Sequence, residues 1–583
     1  MKKNVLLIVL DSIRNDVFFN REYSEKCIPF LYKKRHNSVT GDNMFAQAPY
    51  TEAAFMCLLG SVDTMEYGYL KKFKDVKMIS EVFYENGYKT YSNTTIKNVY
   101  PKYSYKGLSD YRLFEPYQFD SSWDIRFSYY QPLYLNGELK EDEVEFLVDL
   151  LESNLDQWVE YLAFLKAQAF ETAYLNDRVY LDHIDEDIDI IVNEVKIFKS
   201  DKHAYLDRLM NEGKSHVLFA CRRYPYFDKV KDDSYREYFV DKYSSVFKKM
   251  KDLAFRRNIV NNPFPFYSVF SSINNWTKMK GFLAGYKNAL FDKDAMERVT
   301  ENFDKFKAQR SFQTVANDFK GWVEKQDSNW FSYIHIDDAH YRENFFSYDS
   351  NDKELHEKEF GRINDYMDNL AKDYKGAISY DLALMYCDNV IKDICEHLKK
   401  VGQYENTVIM VTADHGYCYY YNPIRDVNLF NVYKETYNVP FIVFGDSIKS
   451  RKIEKFCTTK DVAPTLLSLA GLDVPSEFKG NALDVTEGED YVFVEYMGQG
   501  CPDINRRPII LAVRTENYNV AMNVYAYKTF TDSVLTDVYD LKLDPLEKKN
   551  LFLRKGISEK ISRELEIIEK RFNEIKMKHF GCK

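Results

Sequence analysis

A framework of paired cysteines is missing from this chain. Its nine cysteines (27, 57, 221, 387, 395, 418, 457, 501 and 582) are odd in number, scattered, and never spaced as Cys-x-x-Cys. That excludes a disulfide scaffold and a zinc knuckle, and reads as reduced thiols. A run long enough to cross a membrane is missing too. The opening MKKNVLLIVLDSIR imitates a secretion signal, but its apolar stretch, Val5 to Leu10, is stopped by Asp11 and no small-residue cleavage site follows. A basic excess is also lacking: the net charge is −10, which argues against a nucleic-acid partner, because phosphate neutralisation needs a basic face. These absences lead us to expect a cytoplasmic protein with no membrane span. What is abundant is aromatic: 47 Tyr and 42 Phe in a chain of 583 residues that is 45% hydrophobic, enough for a large core and too much for extended disorder.

Apolar patterning supplies the architecture. Residues 4–10 form a continuous apolar run, the signature of a strand buried on both faces, and the run closes on Asp11. The stretch VIMVTADHG (408–416) repeats that design, ending in Asp414, His415 and Gly416. A third strand, in WFSYIHIDDAHY (330–341), ends in Asp337, Asp338 and His340, and a fourth closes at Ser92-Asn93-Thr94. Helical segments lie near 51–61, 78–86, 311–325, 376–401 and 463–471, with Thr51 expected at a helix N-cap. Strands near 491–494, 509–513, 518–525 and 536–541 read as antiparallel.

This predicts an α/β protein with a mostly parallel central sheet. The α/β core is expected to be discontinuous, over 1–116 and 311–485. Residues 117–310, glycine-poor and helically periodic, read as an inserted cap or lid. Residues 486–583 read as a smaller C-terminal α+β part with a terminal helix.

In an open α/β sheet the carboxyl ends of the strands meet at one edge, where ligands bind. Strand ends carrying acids and imidazoles, with a hydroxyl at a helix start, make a donor set for one divalent cation: two carboxylates, one imidazole and one hydroxyl oxygen. Mn²⁺, Mg²⁺, Ca²⁺ and Zn²⁺ all suit such a set. Chemistry that needs it is attack on a tetrahedral ester: the cation activates the threonine hydroxyl, and a helix N-terminus receives the anion.

Several strings then resemble, in order, the sulfatase branch of the alkaline phosphatase superfamily: NVLLIVLDSIRND (4–16), APYTEAAFMCLLG (48–60), FYENGYKT (83–90), YIHIDDAHY (333–341), VTADHG (411–416), YKETYNVPFIVFG (433–445), DVAPTLLSLAGLDVP (461–475) and VYDLKLDPLEKKNLF (538–552). The resemblance covers roughly 1–100 and 310–552. It implies an α/β sandwich in which Asp11, Asp414 and His415 ligate a metal beside a nucleophile.

The departures matter for function. Sulfatases mature a Cys or Ser in a C/S-x-P-x-R context, whereas Thr51-Glu-Ala-Ala-Phe55 stands here with neither Pro nor Arg. The sulfate-binding Lys expected after GYKT is replaced near Asn93-Thr94, and a Lys-His pair by Phe430-Asn431. A direct Thr51 nucleophile resembles the phosphotransfer members instead.

The expectation is therefore a metal-dependent hydrolase or transferase acting on a phosphate mono- or diester through a phospho-threonine. Sulfuric ester hydrolysis without formylglycine and a non-catalytic binding protein are the alternatives. Thr51 and His340 are the candidate catalytic residues, His340 either binding phosphoryl oxygens or protonating the leaving group. Asp11, Thr51, Asp414 and His415 are the candidate metal set. Asn93, Asp338, Arg506 and Arg507 are expected to meet a small-molecule or saccharide ester substrate. Asp338 is equally open as an orienter of His340 or a weak ligand, and the arginine pair suits phosphate or carboxylate groups.

Overall fold

Strand β1 (Asn4–Leu10) is NVLLIVL, and every one of its residues is buried. In the computed structural model it runs through the middle of an eight-stranded sheet. The structure describes residues 2–18, 24–67, 76–94, 107–112, 127, 130–166, 184–212, 312–339, 378–417, 433–496 and 509–581. Further along the chain come β2 (Val39–Gly41), β3 (Met44–Phe45), β4 (Lys89–Thr94), β5 (Asp110–Arg112), β6 (Trp330–Ile336), β7 (Thr407–Thr412), β8 (Phe441–Phe444), β9 (Arg451–Ile453) and β10 (Cys457–Thr458). The large sheet has the order β5-β4-β6-β1-β7-β8-β2-β9. Its first five strands are mutually parallel, and β8 pairs antiparallel with both neighbours.

A strand with apolar side chains on both faces is stable only when both faces are covered, and β1, β6 and β7 all meet that condition, being buried throughout. Their registers align: Val9 lies opposite His335 on one side and Thr412 on the other. The three strands therefore end level, and the residues that follow, Asp11 and Asp414, emerge at the same edge of the sheet. This is the mostly parallel α/β fold expected from the sequence.

The other layers follow from helical periodicity. The helix Glu141–Lys166 buries Leu147, Leu151, Leu155, Trp158 and Leu162, a stripe at helical spacing. With Ile184–Ser200 and Lys202–Glu212 it accounts for most of the described part of the stretch read as an insertion; residues 213–311 lie outside the described residues. The helix Ile378–Lys400 supplies Asp388, whose buried carboxylate accepts the backbone N–H groups of Phe30 and Leu31 at 2.9 and 2.8 Å. It thereby satisfies orphan donors at the start of the helix Pro29–Lys34.

The C-terminal part is an antiparallel sheet of β11 (Val492–Tyr496), β12 (Ile509–Arg514), β13 (Tyr518–Val524) and β14 (Val534–Asp540). The terminal helix Ser562–Phe580 buries Ile568, Phe572 and Ile575, again at helical spacing.

Candidate metal centre

The first functional side chain is delivered by the end of β1. Asp11 directly follows Leu10, and its backbone N–H donates to Ile336 O at 2.8 Å, which ties it to the neighbouring strand end. Asp414 and His415 follow β7 in the same way. The fourth side chain arrives on the helix Thr51–Gly60. Tyr50, in extended conformation, is the N-cap of this helix, so Thr51 is its first helical residue and not the cap expected from the sequence. The reason is visible in its partners. The Thr51 hydroxyl donates to Asp11 Oδ2 at 3.1 Å and lies 3.4 Å from His415 Nε2, so it is occupied across the site instead of within its own helix.

Asp11, Asp414 and His415 are all buried, and a donor atom from each lies within 4.8 Å of the others. His415 Nε2 stands 3.6 Å from Asp11 Oδ1 and 3.6 Å from Asp414 Oδ2. Donors held about 2.0–2.4 Å from one ion at right-angled or tetrahedral positions stand roughly 3–4 Å apart, so these separations fit a shared cation.

The hydrogen bonds orient the donors toward that point. His415 Nδ1 donates to the carbonyl of Gly416 at 2.7 Å, which leaves the lone pair of a neutral imidazole on Nε2, facing the acids. Asp414 Oδ1 accepts two backbone N–H groups, from His415 at 2.8 Å and Ser12 at 3.3 Å. Its Oδ2 is buried with no hydrogen-bond partner among the described residues. A buried carboxylate oxygen left in that state is costly unless a cation completes it.

Burial disfavours the His415 imidazolium, but Asp414 and Asp11 outweigh it and hold its pKa above the usual value. The acids thus demand positive charge, and a divalent cation supplies it while leaving the ring neutral. The donor set fits such an ion.

Two contributors escape a reading based on strand ends. Ser12 adopts a left-handed backbone (φ 64°), uncommon for a residue other than glycine and a form of strain that clusters at functional sites. That turn lets its hydroxyl donate to Asp11 Oδ1 at 2.6 Å while its N–H reaches Asp414. His335, inside β6, is fully buried with Nε2 3.7 Å from Asp414 Oδ2, and burial pushes its pKa down. The signal for it was an imidazole inside an otherwise apolar strand, FSYIHI. Gly416 is fixed by space: a Cβ there would lie 2.1 Å from Glu435 O.

Two of the remaining candidates, Asn93 and Asp338, lie among the described residues. Asn93 is buried in β4 with Nδ2 donating to Asp318 Oδ2 at 2.9 Å and Tyr91 Oη at 3.0 Å, while its Oδ1 is buried with no hydrogen-bond partner among the described residues. Asp338 is buried and its Oδ1 accepts the Phe312 N–H at 3.4 Å, at the start of the helix Phe312–Val323; it is not one of the clustered ligands. His340, Arg506 and Arg507 lie outside the described residues.

An acid–imidazole cluster with a hydroxyl beside it, at the carboxyl edge of a mostly parallel sheet, is an α/β arrangement that could hold a cation next to a nucleophile. Comparison with known proteins narrows it. The family model described as sulfatase matches residues 220–472, beginning inside the stretch read as an insertion. The model for the C-terminal region of N-sulphoglucosamine sulphohydrolase matches 428–576. An N-acetylglucosamine-6-O-sulfatase of Bacteroides thetaiotaomicron is 25% identical over 204 residues, 33% of this chain and 34% of that protein. A Δ4,5-hexuronate-2-O-sulfatase of the same bacterium is 31% identical over 157 residues, 25% of this chain and 30% of that protein. The match thus spans about a third of the length of these relatives.

Two solved structures share the fold over nearly the whole chain. A phosphonate monoester hydrolase of Agrobacterium radiobacter has TM-score 0.50 and 14% identity, covering 99% of this chain and 96% of its own. A 2-O GAG sulfatase has TM-score 0.50 and 12% identity, covering 100% and 94%. The chain is thus sulfatase-like, in sequence over residues 220–576 and in fold over nearly its whole length.

Proposed function

We propose that the protein is a metal-dependent esterase of the alkaline phosphatase superfamily that cleaves or transfers a phosphoryl group of a mono- or diester through a phospho-threonine. The observation that carries the reading is the place of Thr51 Oγ1, 3.1 Å from Asp11 Oδ2 and 3.4 Å from His415 Nε2, where a nucleophile and a cation-binding set coincide. Asp11, Asp414 and His415, with the Thr51 oxygen, would hold one divalent cation. When bound, that ion supplies Lewis acidity and lowers the pKa of an adjoining hydroxyl.

The chain's own residues do the rest. Thr51 gives up its hydroxyl proton to the acceptor it already faces, Asp11 Oδ2, as Oγ bonds to phosphorus, and the ester oxygen leaves with its electron pair and takes up a proton. The first-turn N–H groups of the Thr51 helix face the anion. Water then attacks the phospho-threonine, giving free Thr51 and phosphate from a monoester or a phosphomonoester from a diester; an alcohol in its place makes the reaction a transfer. His340 is the proposed proton donor, and a saccharide ester the proposed substrate class, in keeping with the sugar-acting relatives.

A second reading, sulfate-ester hydrolysis, is supported by the same relatives, which are named as sulfatases. One experiment separates the two. Bound metal is counted in the purified protein, and aryl phosphate, bis-aryl phosphate and aryl sulfate are assayed with wild type and Thr51→Ala. Phosphoester turnover that disappears in Thr51→Ala is the expected result. Sulfate turnover undiminished in Thr51→Ala overturns the mechanism, and neither metal nor turnover favours a binding protein.

A further inference from the structure

The cluster of buried groups around Asp414 extends one residue beyond the cation ligands. His335 Nε2 lies 3.7 Å from Asp414 Oδ2, and both atoms are buried without a hydrogen-bond partner. Two unsatisfied polar atoms facing each other in a core are a costly arrangement that needs an explanation. On the other side of the ring, His335 Nδ1 is 2.6 Å from Tyr333 Oη. Tyr333 and His335 are two residues apart on β6 and so share a face of the sheet. On that face the Tyr333 ring meets Phe55 of the Thr51 helix, with centroids 6.3 Å apart.

Two tautomers fit the short Tyr333 contact. If His335 Nδ1 carries the proton, Nε2 turns a bare lone pair toward a carboxylate oxygen in a water-free site, lone pair against lone pair. If Tyr333 Oη–H donates into Nδ1, the proton is on Nε2 and points at Asp414. The second arrangement places opposite partial charges together, and it is the one in which the tyrosine hydroxyl donates to Nδ1.

We infer that His335 is a positioning residue for the metal-binding carboxylate of Asp414, with its tautomer set by Tyr333. Asp414 Oδ1 is held by the N–H groups of Ser12 and His415, and His335 governs the free oxygen, Oδ2, from the side of β6. Oδ2 then keeps one lone-pair direction for the cation instead of rotating among several. Outer partners that orient a ligand in this way typically change metal affinity 10–100-fold. His335 itself is not among the clustered ligands. The inference rests on the reading that Asp11, Asp414 and His415 hold a divalent cation, and the experiment separates the two.

Mn²⁺ is titrated calorimetrically into the metal-stripped full chain of wild type, Asp414→Asn, His335→Ala, His335→Gln and Tyr333→Phe. Wild type is expected to bind, and Asp414→Asn to lose binding. His335→Ala should bind about 10–100-fold more weakly. His335→Gln, which restores an N–H at a similar reach, should recover most of that loss, a rescue that a purely space-filling role would not give. Tyr333→Phe should weaken binding by less than His335→Ala. If His335→Ala binds as wild type does, or if His335→Gln binds no better than His335→Ala, the positioning role is overturned while the cation site stands. If wild type and Asp414→Asn are alike, the cation site itself fails and the role of His335 falls with it. Should His335→Ala not fold, the ranking of wild type, His335→Gln and Tyr333→Phe still decides: a His335→Gln affinity below that of Tyr333→Phe counts against the inference.

Discussion

The two ends of the Thr51–Gly60 helix face two kinds of buried charge. Beyond its C-terminal end, Asp63 meets Lys460 Nζ at 3.0 Å and Arg571 Nη1 at 3.9 Å, and Arg571 Nε meets Glu495 at 2.6 Å. Burial alone would raise the Asp63 pKa, but Lys460 and Arg571 hold it well below the usual carboxylate range. At the N-terminal end, Asp414 lies beside a second acid, Asp11, and its basic partners among the described residues are the imidazoles of His335 and His415, each more than 3.5 Å away. Acids at one end are matched by the protein's own cations, while Asp414 at the other faces imidazoles among the described residues. Balanced burial ties strands and helices together; unbalanced burial stores affinity for an ion from outside.

The sharpest way to break this contrast is Asp414→Asn. Cation binding should vanish, and turnover should fall by at least about 10³-fold, since metal Lewis acidity is worth several kcal/mol. The metal-free protein should be no less stable, because a buried acid has been removed; calorimetry and urea melts check both halves. Arg571→Ala should do the reverse. It leaves Glu495 and part of Asp63 uncompensated and should lower stability by about 3–5 kcal/mol, with Mn²⁺ affinity unchanged.

The contrast also predicts a ligand effect. Mn²⁺ at about 100 times its Kd should stabilise wild type by about 2.7 kcal/mol, and Asp414→Asn not at all, read from the urea midpoint. The smallest expected effect comes from Asp461, next to Lys460, whose pKa burial pushes up to about 6. A raised acid favours the folded state fully below its unfolded pKa near 3.8 and loses that contribution as pH rises through about 6. Wild type should therefore lose on the order of 2 kcal/mol relative to Asp461→Asn between pH 4 and 7. Parallel stability–pH curves for the two proteins would remove Asp461 from this account.

Much of the frame was legible because it is written in uninterrupted apolar runs. β1 and β7 announce themselves, and the acids closing them, Asp11 and Asp414, needed only the rule that parallel strands end at one edge. The direction of the last four strands was equally readable from their turns. What stayed hidden depends on register and dihedral angle. His335 lies before the end of β6, so its proximity to Asp414 follows from pairing with Val9. Ser12 acts through a left-handed turn that no side-chain pattern encodes. Thr51 was legible as a hydroxyl at a helix start beside the acids, but its place as the first helical residue instead of the cap was not.

The place of β1 has a consequence in time. It is flanked by β6 and β7, and some 320 residues separate Leu10 from Trp330. At about 5–20 residues per second, a ribosome needs roughly 16–64 s to make that interval. Throughout it, NVLLIVL has neither of its native neighbours, a short β-prone segment without a charge and therefore an aggregation hazard. Synthesis of this protein should thus depend on chaperone cover more than its final stability would indicate. A slower ribosome would lengthen the exposure.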